Sequence, residues 1–503
     1  MIYKNPVVKG FYPDPSVCRA DDGLYYMVCS SFQYFPGVPL LRSSDLVNWE
    51  QIGSCITRTT QADLSEAESS AGIFAPTIRY HNGRFYMVTT NTSANKNFYL
   101  YTDDITKEWS DPVFVDQDGI DPSLFFDDGK VYFISNGTDD EGNEGITQCE
   151  IDISTGKKLS PSRTIWKGSG GRFLEGPHMY KINGTYYLLA AEGGTEYGHM
   201  ITYAKSASVW GEFESYPGNP VLTNRDLGTF IIQGAGHGEL VESPDGEWFM
   251  IHLGFRQEGE WLHYHHLGRE VFMTPVQFKE DGWFTAGTNG TVGEEYEIKG
   301  CKDQKKYEVQ TFANTPREAG WVYLRKPDIN NYSYSEDKYV LHGTNKTLFD
   351  RSSPTFTALR QRDFNGTVNC SVKLDGRDFG EAGITMYMDE DDHYDVCIRR
   401  NNQAWLDTRK KYEAVLKLNI GDIRHIQAVV PLPPGTDNAS FIIEMTNTEY
   451  TFSVVIGEKT HTLGKARTKY LSSESAGGFT GVMIGLYASD GTAEFTDLKI
   501  QYC

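Results

Sequence analysis

The chain states one phrase five times: a turn glycine followed at once by a short strand rich in aromatic and branched residues. It reads Gly23-Leu24-Tyr25-Tyr26-Met27-Val28, then Gly83-Arg84-Phe85-Tyr86-Met87-Val88, Gly129-Lys130-Val131-Tyr132-Phe133-Ile134, Gly184-Thr185-Tyr186-Tyr187-Leu188-Leu189 and Gly246-Glu247-Trp248-Phe249-Met250-Ile251. Glycine accepts the positive φ of a hairpin turn, and aromatic and β-branched residues pack well on a pleated surface. A unit of roughly 50 residues holding several strands is the mark of a propeller blade, repeated radially around an axis. Five copies predict a five-bladed β-propeller over residues 1–290.

Shortly before each glycine another strand ends: Asp14-Pro15-Ser16-Val17, Ala75-Pro76-Thr77-Ile78, Asp121-Pro122-Ser123-Leu124, Glu175-Gly176-Pro177-His178 and Gly236-His237-Gly238-Glu239-Leu240. The innermost strand of a blade lines the central channel. A shared register therefore predicts that Asp14, Asp121, Glu175 and His237 point towards one axis. Charged groups are rarely confined without a partner or a task. Three converging carboxyls fit glycosidic bond hydrolysis. One, kept neutral, protonates the leaving oxygen; another, ionised, activates water or attacks the sugar; a third raises its neighbour's pKa by like-charge proximity. Turn chemistry explains one Asp-Pro, but not three acids in register.

Long helical periodicity is nearly absent, so the whole chain reads as all-β. Residues 291–318 are polar and read as a linker. From 319 to 503 alternating runs return, among them Gly383-Ile384-Thr385-Met386-Tyr387-Met388 and Gly481-Val482-Met483-Ile484-Gly485-Leu486, as expected of a β-sandwich.

Net charge is −21. This argues against nucleic acid or an anionic membrane as partner and favours a small polar ligand. No apolar run is long enough to span a membrane. The opening Met1-Ile2-Tyr3-Lys4-Asn5-Pro6 lacks a signal-peptide pattern, so a cytoplasmic location is expected unless a leader was removed. The eight cysteines show no CxxC pair and are expected as buried free thiols. A homo-oligomer is compatible with all of this.

Three segments resemble the catalytic motifs of glycoside hydrolase family 43: Phe11-Tyr12-Pro13-Asp14-Pro15-Ser16-Val17, Gly119-Ile120-Asp121-Pro122-Ser123-Leu124-Phe125 and Leu174-Glu175-Gly176-Pro177-His178-Met179-Tyr180-Lys181. Their continuations, Ser30-Ser31-Phe32-Gln33-Tyr34-Phe35-Pro36-Gly37 and Ala190-Ala191-Glu192-Gly193-Gly194-Thr195, resemble the exo-acting β-xylosidases and α-L-arabinofuranosidases of that family. The resemblance implies a propeller followed by a concanavalin-like jelly roll. It also implies an inverting mechanism with Asp14 as general base, Glu175 as general acid and Asp121 tuning Glu175. Short xylan-derived oligosaccharides are the implied substrates.

Phe32, Phe74, His237 and Arg256 are the implied substrate contacts. Phe74 stands where many β-xylosidases of the family carry tryptophan, which keeps an arabinofuranose-first enzyme open as the alternative. No cofactor is required for the chemistry. The resemblance does offer a structural calcium ion on the axis, with His237 beside it. Gly380-Glu381-Ala382 match a sandwich segment of the exo-acting group, so a loop there is expected to close the pocket. A non-catalytic sugar-binding propeller is disfavoured, because all three acids are retained. A phosphorylase is disfavoured too, since no Arg or Lys occupies the channel register.

Overall fold

Each repeat glycine sits at a hairpin tip with φ between 77° and 80°. At Gly23, Gly83, Gly129 and Gly184 nothing lies within 4 Å of where a Cβ would be, so backbone conformation and not space requires glycine there. Asn82, Asp128 and Asn183, each just before its glycine, also have positive φ. Two such residues in succession make the tight turn whose twist matches the flanking strands.

The computed structural model describes residues 1–259, 261–400 and 411–503. Among these, five four-stranded antiparallel sheets follow in chain order. Their innermost strands are Ser16–Arg19, Thr77–His81, Ile120–Asp127, Glu175–Ile182 and Ile232–Glu242. Each repeat glycine joins its innermost strand to the next one out, as the five phrases predict. Every blade is built from contiguous sequence, so the ring closes edge to edge. Ile2–Lys4 pairs with Glu295–Glu297, and Val8 bridges to Val271 of the fifth blade. The first residues of the stretch read as linker thus belong to this clasp.

The C-terminal region is a β-sandwich organised by two long strands, Gly366–Tyr387 and Met483–Tyr502, which pair along most of their length. A register break between Gly376 and Glu381 lets them serve both layers. The Gly366–Lys373 half pairs with Asn438–Met445, and the Glu381–Tyr387 half pairs with His393–Arg400. One four-residue α-helix, Ser473–Ala476, is the only one among the described residues, and no helix is long and apolar enough to cross a membrane. All eight cysteines are free; six are buried, Cys301 is partly exposed and Cys503 is exposed.

The sandwich is welded to the propeller. Tyr323–Leu324 pairs with Tyr34–Phe35 of the first blade. A shared apolar cluster joins Phe11, Phe32 and Tyr34 to Phe356, Tyr387 and Tyr487. The buried Arg325 pairs with Glu390, and Arg360 donates to the Phe11 carbonyl at 2.6 Å. This seam runs beside the channel mouth.

Candidate active site

On the innermost strands, or just before them, the backbone takes the same unusual step in four blades. Asp14 (φ 53°), Asp121 (φ 53°) and His237 (φ 47°) are left-handed, and Gly176 (φ 59°) holds the corresponding place in the fourth blade. The strand register slips at this step in blades three, four and five. Such bulges re-aim a side chain out of the ladder, and Asp and His tolerate the left-handed region better than most residues. The aligned segments are therefore Asp14-Pro15-Ser16, Asp121-Pro122-Ser123, Gly176-Pro177-His178 and His237-Gly238-Glu239. Glu175 does not share the register expected of it; it stands one residue earlier. The reason is steric: a Cβ at position 176 would fall 2.8 Å from the His237 ring.

Asp14 is buried. Its Oδ2 accepts from Ser30 Oγ at 2.6 Å, and its Oδ1 accepts from Arg269 Nη1 at 2.7 Å. Burial pushes this carboxyl up, but Arg269, His237 and the Ser30 hydroxyl outweigh it and hold Asp14 below the usual carboxylate range. Asp121 is the opposite case. Burial, then the charges of Glu175 and Asp14, push it well above that range, and the Gly176 amide donates to its Oδ2 at 3.2 Å. Glu175, with 20% of its side chain exposed, is pushed up by burial and by Asp14 against the pull of Arg269. The site thus holds one carboxylate and, beside it, a pair that retains a proton.

Arg269 was not singled out in the sequence. It is buried, bridges Asp14 to Thr195 Oγ1 (2.9 Å), and packs over the rings of Phe32 and Phe479. The available signal was an Arg-Glu pair, Arg269-Glu270, leading into the buried strand Glu270–Phe278. Arg269 lies outside the repeated register positions, which carry no Arg or Lys, and its charge is committed to Asp14, so it is not a free phosphate site.

Arg256 is elsewhere. Its guanidinium spans Glu270 (2.8 and 2.9 Å) and Asp363 (3.0 Å) and lies over Phe364, which makes it a clamp between propeller and sandwich. Three of its donors are held by these two acids, so it is corrected from substrate contact to interface residue.

Phe32 and Phe74 meet edge to face at 5.4 Å. Phe479, from the sandwich, stacks on Phe32 at 6.1 Å and meets Phe74 edge-on at 6.4 Å. Together with Arg269 these rings form one wall. The sandwich therefore does reach the site, but not through Gly380-Glu381-Ala382. Those residues lie within the long strand Gly366–Tyr387, where Glu381 pairs with Lys417 and accepts from Tyr487. On the fourth blade, Glu192 accepts from Ser169 (2.8 Å) and Thr202 (2.7 Å), fixing the segment that leads into Glu175.

His237 is buried with Nδ1 3.8 Å from Asp14 Oδ1, and burial lowers it to about 4, so it is neutral near pH 7. Deeper on the axis, Glu239 pairs with Arg79 (2.6 Å) and His178 (2.9 Å) and accepts from the Val17 amide. Calcium takes six to eight oxygen ligands. Here the oxygens of Asp14 and Glu239 are already engaged, the remaining groups are imidazoles, and the axial charge is balanced by Arg79. No group of three or more His, Cys, Asp or Glu able to hold a metal occurs among the described residues. The donor set does not fit calcium.

Comparison with known proteins agrees with this geometry. Residues 3–284 match the family described as glycosyl hydrolases family 43, and residues 309–501 match the beta xylosidase C-terminal concanavalin A-like domain. The chain is 37% identical over 499 residues to the non-reducing end alpha-L-arabinofuranosidase BoGH43B of Bacteroides ovatus, covering 97% of this chain and 91% of that protein. It is 34% identical to a xylosidase/arabinosidase of Butyrivibrio fibrisolvens, covering 97% and 96%. Among solved structures, a xylan beta-1,4-xylosidase from Bacillus halodurans superposes with a TM-score of 0.89 at 29% identity, covering 99% of each chain.

Proposed function

The chain belongs to glycosyl hydrolase family 43, and from that membership we infer an exo-acting, inverting glycosidase that releases terminal β-D-xylose, with α-L-arabinofuranose as a second sugar, from short xylan-derived oligosaccharides. Asp14 is the general base: held ionised by Arg269, it takes a proton from the attacking water. Glu175 is the general acid and protonates the departing glycosidic oxygen. Asp121, buried beside Glu175, shares a proton with it, so the pair stays protonated at working pH. The observation that carries the reading is the unequal setting of two carboxyls in one buried site: Asp14 is paired with Arg269 at 2.7 Å, while Glu175 has no Arg or Lys partner among the described residues.

The Phe32, Phe74 and Phe479 wall supports an apolar stacking surface for a single terminal sugar. Phe74, a smaller ring than tryptophan, favours the second reading, an enzyme that takes arabinofuranose first and debranches arabinoxylan fragments. The test is the ratio of kcat/KM for aryl β-D-xylopyranoside and aryl α-L-arabinofuranoside, with the anomer of the released sugar followed by NMR. A ratio well above one gives a β-xylosidase, and a ratio well below one a debranching enzyme. Retention of configuration, or no turnover of either glycoside, overturns the inference.

A further inference from the structure

Glu175 must present its proton in one direction, yet its carboxyl has no hydrogen-bonded partner among the described residues. What faces it is His199, whose Nε2 stands 3.6 Å from Glu175 Oε1. This histidine comes just before the third strand of the same blade, Met200–Ser206. The ring is 1% exposed, and neither nitrogen has a hydrogen-bond partner among the described residues. Buried polar atoms without partners are uncommon and costly, so two on one ring require an explanation.

The ring is also deliberately accommodated. A Cβ on Gly236 would fall 2.2 Å from His199 Nδ1, so only glycine at 236 admits the imidazole. The His199 backbone is tied at both ends, its amide donating to the Glu196 carbonyl at 3.0 Å and its carbonyl accepting from Thr223 Oγ1 at 2.8 Å. The charged and titratable groups facing this pair are Asp14, Asp121, Arg269 and His237. Burial, followed by His237 and Arg269, lowers His199 to about 3. It is therefore a neutral imidazole near pH 7, with one N–H to place, and the Gly234 backbone and Glu175 are the acceptors beside it.

We propose that His199 is a positioning residue for the general acid: its Nε2–H donates to Glu175 Oε1 and leaves the transferable proton on Oε2. The proposal rests on Glu175 being the acid. The observed separation is longer than a hydrogen bond, and such contacts commonly tighten only when substrate is bound. In the reaction the Oε2 proton passes to the glycosidic oxygen as the bond from that oxygen to the anomeric carbon breaks. Water adds to the anomeric carbon and gives its proton to Asp14. The charge left on Glu175 is shared with Oε1, where the His199 N–H strengthens its hold. A neutral donor suits this task, since its N–H is too weakly acidic to compete as the acid.

The test compares His199→Ala, His199→Gln and Glu175→Ala on xylobiose, a poor leaving group, and on dinitrophenyl β-D-xyloside, a good one, across pH. His199→Ala should lower kcat/KM for xylobiose about 10- to 100-fold, as expected for a lost hydrogen bond to a charged group. It should leave the activated glycoside within about threefold. It should also move the basic limb of the xylobiose profile to higher pH, because the Glu175 carboxylate loses a donor. Gln, whose amide can donate from a similar place, should restore both. If the alanine variant does not fold, His199→Met fills the space without a donor and is held to the same outcomes. Equal losses on both substrates, an unmoved limb or a limb moved downward would each overturn the role of His199. Wild-type turnover of xylobiose by Glu175→Ala would instead overturn the acid assignment beneath it.

Discussion

Arg269 Nη1 donates to Asp14 Oδ1 at 2.7 Å, joining the fifth blade to the first across the seam where the propeller closes. The residue proposed as general base is thus paired with one from the opposite end of the propeller. The site is assembled only when the ring is complete.

This relationship has a measurable consequence. Without the guanidinium, burial acts on Asp14 unopposed by its main partner and its pKa rises. A base works only when deprotonated, so activity is lost as pH falls through that pKa, and a higher pKa moves the acidic limb of kcat/KM upward. Arg269→Ala should shift this limb by about one to two pH units and cost at least about 100-fold near neutrality. Arg269→Lys keeps a charge but not the fork, and should shift it less. A pH profile of kcat/KM for each variant decides the matter. An unmoved acidic limb would separate Arg269 from the protonation of Asp14.

On the proposed roles the basic limb is set by Glu175, pushed up to about 7 by burial and by Asp14. An acid works only while protonated, so activity should fall as pH rises through that value. Asp121→Asn leaves Glu175 without a neighbouring carboxylate to oppose loss of the pair's last proton, so that proton leaves at lower pH and the basic limb moves to lower pH. The largest losses should appear above pH 7, and on substrates with poor leaving groups. A profile whose basic limb stays in place would show that Asp121 acts on substrate and not on the acid.

The propeller was legible because its turns are local chemistry: positive φ at Gly83 or Gly129 is written in Asn-Gly and Asp-Gly pairs and needs no tertiary context. Asp14 and Asp121 were legible for a related reason, since matching Asp-Pro-Ser segments mark the same left-handed step. Arg269 and Phe479 were not. Each is one residue in an ordinary strand or loop, and its role arises from long-range packing across the ring closure and the domain seam. Arg256 misled because an arginine near a blade edge looks the same whether it meets sugar or, as here, Glu270 and Asp363. The one-residue offset of Glu175 was hidden because the Gly-Pro that follows it reads as a variant of Asp-Pro, and only the His237 ring reveals why position 176 has no side chain.

That offset makes Gly176 the most demanding position of the acid's strand. Its φ of 59° is left-handed, and any Cβ there meets the His237 ring at 2.8 Å. The ring cannot retreat freely: it packs edge-on against His178 at 5.7 Å, and His178 is held by Glu239. Gly176→Ala should therefore lose about 1–3 kcal/mol of stability from the backbone alone and the displaced ring together. It should also lower kcat, because the Gly176 amide that donates to Asp121 and the carboxyl of Glu175 both move with this peptide. Denaturant unfolding and single-turnover rates on the same preparation measure the two effects. An alanine variant with wild-type stability and rate would mean that the bulge relaxes at no cost, and that the displacement of the acid from the shared register has some cause other than the His237 ring.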